Sequence, residues 1–419
     1  MKKKYIIKVS FSILTSLCAL ADLKAQYSTE KGQFAPIASI DNFVYAFMAE
    51  ANVPGLSLAV TKNEKIVYLK GYGYADREAN EKITPASLFR IASISKPLTS
   101  VAIMKLVEEK KLSLDDKAFG PKGILKTTYG KQPYKKEITN ITVRHLLQHL
   151  AGGWGNRRND PMFTDPLRPQ AELITYTLDS FPLERTPGTN YDYSNFGYCV
   201  LGRIIEKITG RNYEDYIKTT ILQPCGITDM LVGGNKLEDR KKNEVKYYGR
   251  GDEDPYRYNI ERMDSHGGWL ATASDLVKLL AHIDGGTNVK DILLPNTIKI
   301  MTTAPAVSPY YACGWVVDSL NNWQHGGSLP GTRTELRKRS NGYGYAILLN
   351  TRSSDSLFVQ GLKKMIENLQ QVEIYTESTT ATALPGYKPA AFADEDMLAK
   401  MKSIFPVIDN IYKEHAAKN

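Results

Sequence analysis

Ser93-Ile94-Ser95-Lys96-Pro97 is the stretch that decides how this 419-residue chain folds and what chemistry it can perform. The serine and the lysine are three positions apart, which on an α-helix places both side chains on the same face. Pro97 fits only the first turn of a helix, where its missing amide proton has no partner to lose. We therefore predict that a helix begins at about Ser93, with the Ser93 hydroxyl at its positive end.

The residues after Pro97 predict a buried helix. Apolar side chains from Leu98 to Val107 point in nearly every direction around the helix axis, which is typical of a helix enclosed by the core. A lysine at the head of such a helix is costly to bury unless it is paired or loses its proton. An unprotonated lysine can take the proton of a neighbouring hydroxyl, so Ser93 is a candidate nucleophile and Lys96 its base. The alternative is a solvated lysine near a helix start.

The composition is that of an ordinary globular protein. Hydrophobic residues make up 42% of the chain and charged residues 24%, with a formal net charge of +9. The basic residues are scattered and no platform of aromatic and basic residues accompanies them, so we expect no nucleic-acid partner. No internal stretch is long and apolar enough to predict a transmembrane segment.

The N-terminus has the pattern of a secretory signal. Four lysines precede an apolar run from Val9 to Leu20 that is too short to span a bilayer. We predict that residues 1–25 are a signal peptide, cleaved near Ala25, and that the protein is secreted or periplasmic. Cys18 leaves a lipoprotein signal as the alternative, and the choice between periplasm and medium stays open.

Strand patterns at both ends of the chain enclose a long helical stretch. This order predicts an α+β fold, in which a sheet is interrupted by a helical insertion at about residues 120–265. The main domain is predicted over residues 26–370, and residues 371–419 are predicted to be a linker and a C-terminal helical tail. The expected strands are 56–61, 65–70, 314–318, 332–337 and 343–350, and the main expected helices are 41–50, 142–150, 198–209, 212–221, 274–283 and 353–370.

Three short motifs, in order, make the chain from about Ile37 to Gln370 similar to a known family. They are Ser93-Ile-Ser-Lys96, Tyr193-Ser-Asn195 and His325-Gly-Gly327. With these motifs the chain resembles the serine β-lactamase and D,D-peptidase superfamily, specifically its class C-like branch. The resemblance implies an antiparallel sheet flanked by helices, an all-helical insertion and an active site between them.

The resemblance also implies a role for each matching residue. Ser93 is the acylated nucleophile, Lys96 takes part in proton removal, and Tyr193 shares that task. A cationic lysine next to this phenol is expected to favour the phenolate. Asn195 is expected to bind a substrate amide. The backbone N–H groups of Ser93 and of Ser328, which follows Gly327, are expected to form the oxyanion hole.

His325 departs from the pattern of the class C enzymes, which carry lysine at this position, and Gly326 replaces a threonine. A histidine is largely neutral at pH 7 unless an anion raises its pKa, so the usual fixed positive charge is lost. Both changes argue against a strong β-lactamase, and in the family a histidine here is similar to certain D,D-carboxypeptidases and D-amino-acid-specific peptidases. We expect activity to vary with pH near the titration of His325.

The leading hypothesis is a secreted serine hydrolase that acts through an acyl-enzyme on peptidoglycan-type D-peptides and also forms a covalent β-lactam adduct. The alternatives are a carboxylesterase of small acyl esters, a weak class C-like β-lactamase and a non-catalytic binding protein on the same scaffold. His145 and His149 are spaced as helical metal ligands, but no third ligand is evident. We therefore predict no metal and no cofactor, and the partner is a small peptide or ester substrate.

Overall fold

The computed structural model describes residues 38–156 and 160–372. The predicted signal peptide, residues 1–25, lies outside these ranges, as does the predicted tail from residue 373 onward. Within the described residues the chain forms one large sheet, a small sheet and a set of helices that pack on them.

The strands are β1 (Gly55–Lys62), β2 (Lys65–Asp76), β3 (Glu81–Lys82), β4 (Phe89–Arg90), β5 (Leu231–Val232), β6 (Trp269–Ala271), β7 (Val316–Val317), β8 (Trp323–Leu329), β9 (Thr332–Lys338) and β10 (Tyr343–Leu349). The large sheet has seven antiparallel strands in the order β3-β2-β1-β10-β9-β8-β7. The small sheet has three antiparallel strands in the order β4-β6-β5.

The centre of the large sheet is covered on both faces. All seven residues of β10 are buried, as are seven of the eight in β1. The two strands pair in register with Leu58 opposite Ile347. Asn63 and Glu64 connect β1 to β2 with φ angles of +48° and +67°, the left-handed pair that lets a two-residue turn follow the twist of a hairpin.

Helices cover the two faces and fill the region between the strands. On one face α1 (Ala38–Glu50) and α11 (Ser356–Gln371) pack on the sheet with Val44, Met48, Leu58 and Phe358 in their shared core. On the other face α9 (Ala273–Ala281) packs against β1, β2 and β10. The helices are α1 (Ala38–Glu50), α2 (Ser95–Glu108), α3 (Lys136–Thr139), α4 (Val143–Leu147), α5 (Pro161–Thr164), α6 (Gln170–Ser180), α7 (Asn195–Thr209), α8 (Tyr213–Ile217), α9 (Ala273–Ala281), α10 (Pro295–Thr302) and α11 (Ser356–Gln371).

The predicted fold class is confirmed, because the sheet is antiparallel and helices flank it. The prediction missed β8, whose central residues His325, Gly326 and Gly327 have no strand pattern of their own. The strand exists because it pairs with β9 along its whole length, from Trp323 to Leu329, so tertiary pairing overrides local propensity. This strand forms one wall of the candidate active site.

Candidate active site

Ser93 lies in a tight turn immediately before α2. The structure corrects the predicted helix start: Ala92–Ile94 form a single 3₁₀ turn and the α-helix begins at Ser95. Ala92 has a φ of +48°, a left-handed conformation that is uncommon without glycine and concentrates at functional sites. The Thr334 hydroxyl of β9 holds this turn by donating to the Ile91 carbonyl at 3.0 Å.

Lys96 is fully buried one turn further along, as the apolar helix predicts. Its Nζ lies 3.0 Å from Ser93 Oγ, 2.7 Å from Asn195 Oδ1 and 3.0 Å from the His266 carbonyl oxygen. A protonated lysine has three N–H donors, and these three oxygens use all of them.

The same geometry determines where the free electron pair points when Lys96 loses a proton. The Asn195 and His266 oxygens only accept hydrogen bonds, so they keep the two remaining N–H donors. The electron pair is therefore left facing Ser93, whose hydroxyl can donate. This arrangement is the one that a lysine needs in order to act as the base for a serine nucleophile.

Burial makes the neutral form of Lys96 accessible near pH 7. Loss of hydration lowers the pKa of the Lys96 ammonium to about 7, whereas the Asp160 carboxylate acts in the opposite direction. Asp160 touches Asn195, not Lys96: the Asn195 Nδ2 donates to the carboxylate at 2.7 Å. The negative charge is thus separated from the ammonium by one amide group.

Tyr193 lies beside the lysine, with its ring centre 4.7 Å from Lys96 Nζ. Burial raises the pKa of the Tyr193 phenol well above its ordinary value, and a hydrogen bond with Ser93 only partly opposes this. The expectation of a phenolate was therefore wrong. Desolvation dominates the effect of the nearby lysine, because that lysine also gives up its charge in the same dry pocket.

An aromatic cluster holds Tyr193 in place. The His149 ring lies 4.2 Å from the Tyr193 ring, and Tyr311 packs on both at 4.7 Å and 6.1 Å. His149 Nδ1 accepts a hydrogen bond from the Ser194 N–H at 3.0 Å, which fixes the backbone next to Tyr193.

Asn195 is the first residue of α7, where the Ser194 side chain caps the helix. It was expected to bind a substrate amide. In the structure its oxygen accepts from Lys96 and its nitrogen donates to Asp160, so both polar atoms of the side chain already have partners within the protein. The Asn156 side chain additionally accepts from the Asn195 backbone N–H at 3.1 Å.

Gly327 allows β8 to approach the nucleophile. A Cβ atom on Gly327 would lie 2.2 Å from the Ile91 carbonyl oxygen and 3.1 Å from the Ala92 Cβ, which no side chain tolerates. This close approach brings the neighbouring Ser328 to the rim of the cleft that Ser93 lines. Ser93 and Ser328 therefore lie on the same cleft, as the expected oxyanion hole requires.

His325 is buried and its ring nitrogens both have partners. Nδ1 donates to the Gly326 carbonyl at 2.8 Å, since a carbonyl only accepts, and Nε2 then accepts from the Tyr311 hydroxyl at 3.1 Å. Burial, with the Lys96 charge nearby, lowers the pKa of His325 to about 3. The expected titration of His325 near neutral pH is therefore wrong, and the pKa near 7 belongs to Lys96.

The cleft has a volume of about 320 Å³. Its lining includes Ser93, Asn195 and Ser328, together with residues that the sequence did not single out: Asn156, Asp160, Phe163, Tyr258, Met263, His266, Gly267, Leu329, Pro330 and Arg352. Asp160 and Arg352 carry the charges of this set. Asp160 belongs to none of the three motifs and Arg352 follows the last strand, so no local pattern in the sequence marked either residue as part of the site.

His145 and His149 each accept a hydrogen bond from a backbone N–H group. His145 Nδ1 accepts from the Thr142 N–H at 3.3 Å and completes the cap of α4, and His149 Nδ1 accepts from Ser194 as described. No group of three or more His, Cys, Asp or Glu side chains suited to a metal occurs in residues 38–156 and 160–372. Over the same ranges, no helix has the length and apolar character that crossing a membrane requires.

The sheet, the helical region and the serine–lysine–tyrosine site between them define the class of β-lactamase-fold serine hydrolases. The family model described as Beta-lactamase matches residues 40–366. The chain belongs to this family.

Comparison with known proteins agrees with this assignment. The chain is 25% identical over 358 residues to protein flp of Staphylococcus aureus strain MRSA252, covering 83% of this chain and 69% of that protein. It is similar to the octameric penicillin-binding protein homologue from Pyrococcus abyssi, with 29% identity and a TM-score of 0.63 over 79% of this chain and 78% of that one. It shares its fold with D-amino acid amidase from Ochrobactrum anthropi SV3, with 24% identity and a TM-score of 0.65 over 79% of this chain and 99% of that one.

Proposed function

We propose that this protein is a secreted serine hydrolase that forms an acyl-enzyme on Ser93 and acts on D-configured peptides of the peptidoglycan type. The observation that carries the proposal is the position of Lys96, fully buried, with Nζ 3.0 Å from Ser93 Oγ and a pKa of about 7. A base with its pKa near the working pH is the most effective at taking a proton in the transition state.

The first half of the reaction acylates the serine. Ser93 Oγ bonds to the carbonyl carbon while its proton moves to the free electron pair of Lys96. The backbone N–H groups of Ser93 and Ser328 stabilise the oxygen that becomes negative. Tyr193, which remains a phenol, donates its proton to the leaving group and is reprotonated by Lys96 as the bond to the leaving group breaks.

The second half releases the acyl group. Water attacks the ester on Ser93, and its proton leaves along the same lysine and tyrosine. The bond between the acyl carbon and Ser93 Oγ then breaks, and the serine regains its proton. No cofactor or metal takes part in either half.

Arg352 supports a substrate with a carboxylate close to the scissile bond. Since His325 is neutral and enclosed, it supplies no positive charge to the cleft. Arg352 lines the cleft, and its Nη1 donates to Ser328 Oγ at 3.2 Å while Glu253 holds the rest of the guanidinium. Because Glu253 occupies Nε and Nη2, Nη1 is the donor that Arg352 offers to the carboxylate of a peptide that ends in a D-amino acid.

The second candidate is a carboxylesterase of small acyl esters. It is favoured by the absence of the usual lysine at position 325, because a cleft with fewer cations accepts neutral acyl groups more readily. A weak class C-like β-lactamase differs from both candidates in the lifetime of its penicillin adduct.

Intact mass spectrometry tests the proposal. The wild type and Ser93→Ala are each mixed with a penicillin and with an activated D-alanyl ester, and the protein mass is followed with time. We expect both reagents to add their acyl mass to the wild type and neither to Ser93→Ala. Release of D-alanine from a peptide ending in D-Ala-D-Ala, compared with hydrolysis of nitrophenyl butyrate, then separates the peptidase from the esterase.

Each outcome assigns the function differently. A persistent penicillin adduct indicates a penicillin-binding peptidase, rapid decay of the adduct indicates a β-lactamase, and labelling by the ester alone indicates an esterase. Equal labelling of Ser93→Ala, or no labelling of the wild type by either reagent, contradicts the proposed acyl-enzyme.

A further inference from the structure

The catalytic cleft adjoins a second, larger groove. Ser328 and Arg352 line both, so the two cavities meet at the point where β8 reaches the nucleophile. The second groove has a volume of about 530 Å³ and lies between β9 and α11. We call it the arginine groove, after its lining residues Arg333, Arg337, Arg339 and Arg352.

The charges in the arginine groove do not balance. Five cationic side chains, the four arginines and Lys363, line it against two carboxylates, Glu335 and Glu367. Glu253 binds Arg352 from outside the lining, which leaves an excess of two positive charges. Within residues 38–156 and 160–372, Arg339 forms no ion pair with a carboxylate.

The groove is also built in a fixed shape. The carboxylate of Glu335 is 6% exposed and is held between the guanidinium groups of Arg333 and Arg337, the latter at 3.1 Å. A buried acid between two arginines fixes their orientation, unlike the free side chains of an ordinary solvated face. Phe358, Leu362 and Ile366 of α11 form the apolar side of the groove.

From this juxtaposition, we propose that the arginine groove binds a second carboxylate of the substrate, on a part of the molecule that extends past Ser328. The preferred substrate is then a peptide or ester with an acidic arm in addition to the group that reacts with Ser93. The inference rests on the proposed function, since the groove selects among acyl donors that the cleft accepts. Arginine suits this role because its planar donors bind a carboxylate in two contacts and keep their charge at every working pH.

Acylation by matched esters tests the inference. N-valeryl-D-alanine and N-glutaryl-D-alanine nitrophenyl esters have caps of equal length, and only the glutaryl cap carries a carboxylate. A second pair, N-acetyl-D-alanine phenyl and 3-carboxyphenyl esters, places the carboxylate on the leaving group. For each pair we compare the second-order acylation rate constants of the wild type, corrected for the reactivity of the esters in buffer.

We expect the carboxylated member of at least one pair to react about tenfold faster, with a preference that weakens as salt rises. Arg339→Gln and Lys363→Gln should each reduce that preference several-fold. Lys364→Gln is the matched control, because Lys364 is the exposed neighbour of Lys363 on α11 and does not line the groove. This control should leave the preference unchanged.

The two proposals fail in different ways. Equal rates within both ester pairs, with Ser93 still acylated, overturn the arginine groove as a subsite and leave the proposed function standing. A preference that Arg339→Gln and Lys363→Gln leave unchanged also overturns it. Absence of acylation by every ester contradicts the proposed function itself.

Discussion

Two buried lysines lie on opposite sides of the same sheet and have different surroundings. Lys70 of β2 is 3% exposed and forms a 2.7 Å salt bridge with Asp41, whose other oxygen accepts from Tyr68 and Tyr72. Lys96 is 0% exposed, and its three direct partners are oxygens of a hydroxyl, an amide and a backbone carbonyl.

The position of the counter-charge separates a structural lysine from a reactive one. A carboxylate in direct contact offsets much of the desolvation of an ammonium, and the Lys70–Asp41 salt bridge joins α1 to β2. Lys96 has its nearest carboxylate, Asp160, behind the Asn195 amide. Loss of the Lys96 proton then costs less free energy than burial of the charged ammonium, and the neutral amine can act as a base.

The largest effect is expected at the reactive lysine. Lys96→Met removes the base but fills the same buried space, so acylation of Ser93 should slow by about 10²–10⁴-fold. Pre-steady-state acylation by an activated ester measures this rate. Lys70→Met is the matched control and should acylate at nearly the wild-type rate in its folded fraction. Equal slowing of acylation in Lys96→Met and Lys70→Met would contradict the role of Lys96 as the base.

For stability, the substitution at Lys70 is expected to have a larger effect than the one at Lys96. Lys70→Met leaves the Asp41 carboxylate buried without its cation and should lower the free energy of unfolding by about 3 kcal/mol or more. Denaturant unfolding at pH 7 gives this value, and Asp41→Asn combined with Lys70→Met should recover part of the loss. If Lys70→Met is as stable as the wild type, the Lys70–Asp41 salt bridge does not contribute to the free energy of unfolding.

Lys96 is also expected to make the stability of the protein depend on pH. The pKa of Lys96 is about 7 in the folded protein against an ordinary value of 10.5. Between these values the unfolded chain binds more protons, so the free energy of unfolding attributable to Lys96 rises with pH, by at most about 1.4 kcal/mol per unit. Below pH 7 both states are protonated and this contribution is at its minimum.

Unfolding of the wild type and Lys96→Met between pH 6 and 9.5 measures that contribution as a difference. The wild type should gain stability relative to Lys96→Met as pH rises above 7. Parallel curves for the two proteins would show that Lys96 titrates normally and would remove the electrostatic basis of the comparison.

The smallest expected effect is that of Asp160, whose carboxylate contacts the Asn195 amide, on the pH profile of acylation. The Asp160 charge raises the pKa of Lys96, so Asp160→Asn should move the acid limb of the acylation rate to lower pH, by less than about one unit. The asparagine keeps an oxygen for the Asn195 amide. Asp165→Asn, which removes a more exposed charge at the other end of α5, serves as the control. An unshifted acid limb in Asp160→Asn would contradict the coupling.

The reactive lysine and its burial could be predicted from the sequence. The parts that could not be predicted depend on contacts between distant segments. The motif spacing indicates Ser93 and Lys96, and the apolar residues around α2 indicate that the lysine is buried. Strand β8 and the ionic partner of Lys70 are determined by pairing between distant segments, which no local pattern records. Asp41 and Lys70, for example, are 29 residues apart.

The electrostatic state of the site also depends on tertiary structure. The sequence supports either a charged lysine with a phenolate or a neutral lysine with a phenol, because both need the same residues. Burial of Lys96 and Tyr193 in one dry pocket favours the neutral pair. His325 was expected to titrate near neutral pH, and its enclosure by Tyr311 and Gly326 overturns that expectation.

The most direct test of the account is the pH profile of Ser93 acylation by an activated ester, followed by intact mass from pH 5 to 9. The account predicts a single rise with an apparent pKa of about 7, which persists in His325→Asn and is absent in Lys96→Met. A rate independent of pH in the wild type, or a rise that disappears in His325→Asn and persists in Lys96→Met, would contradict it.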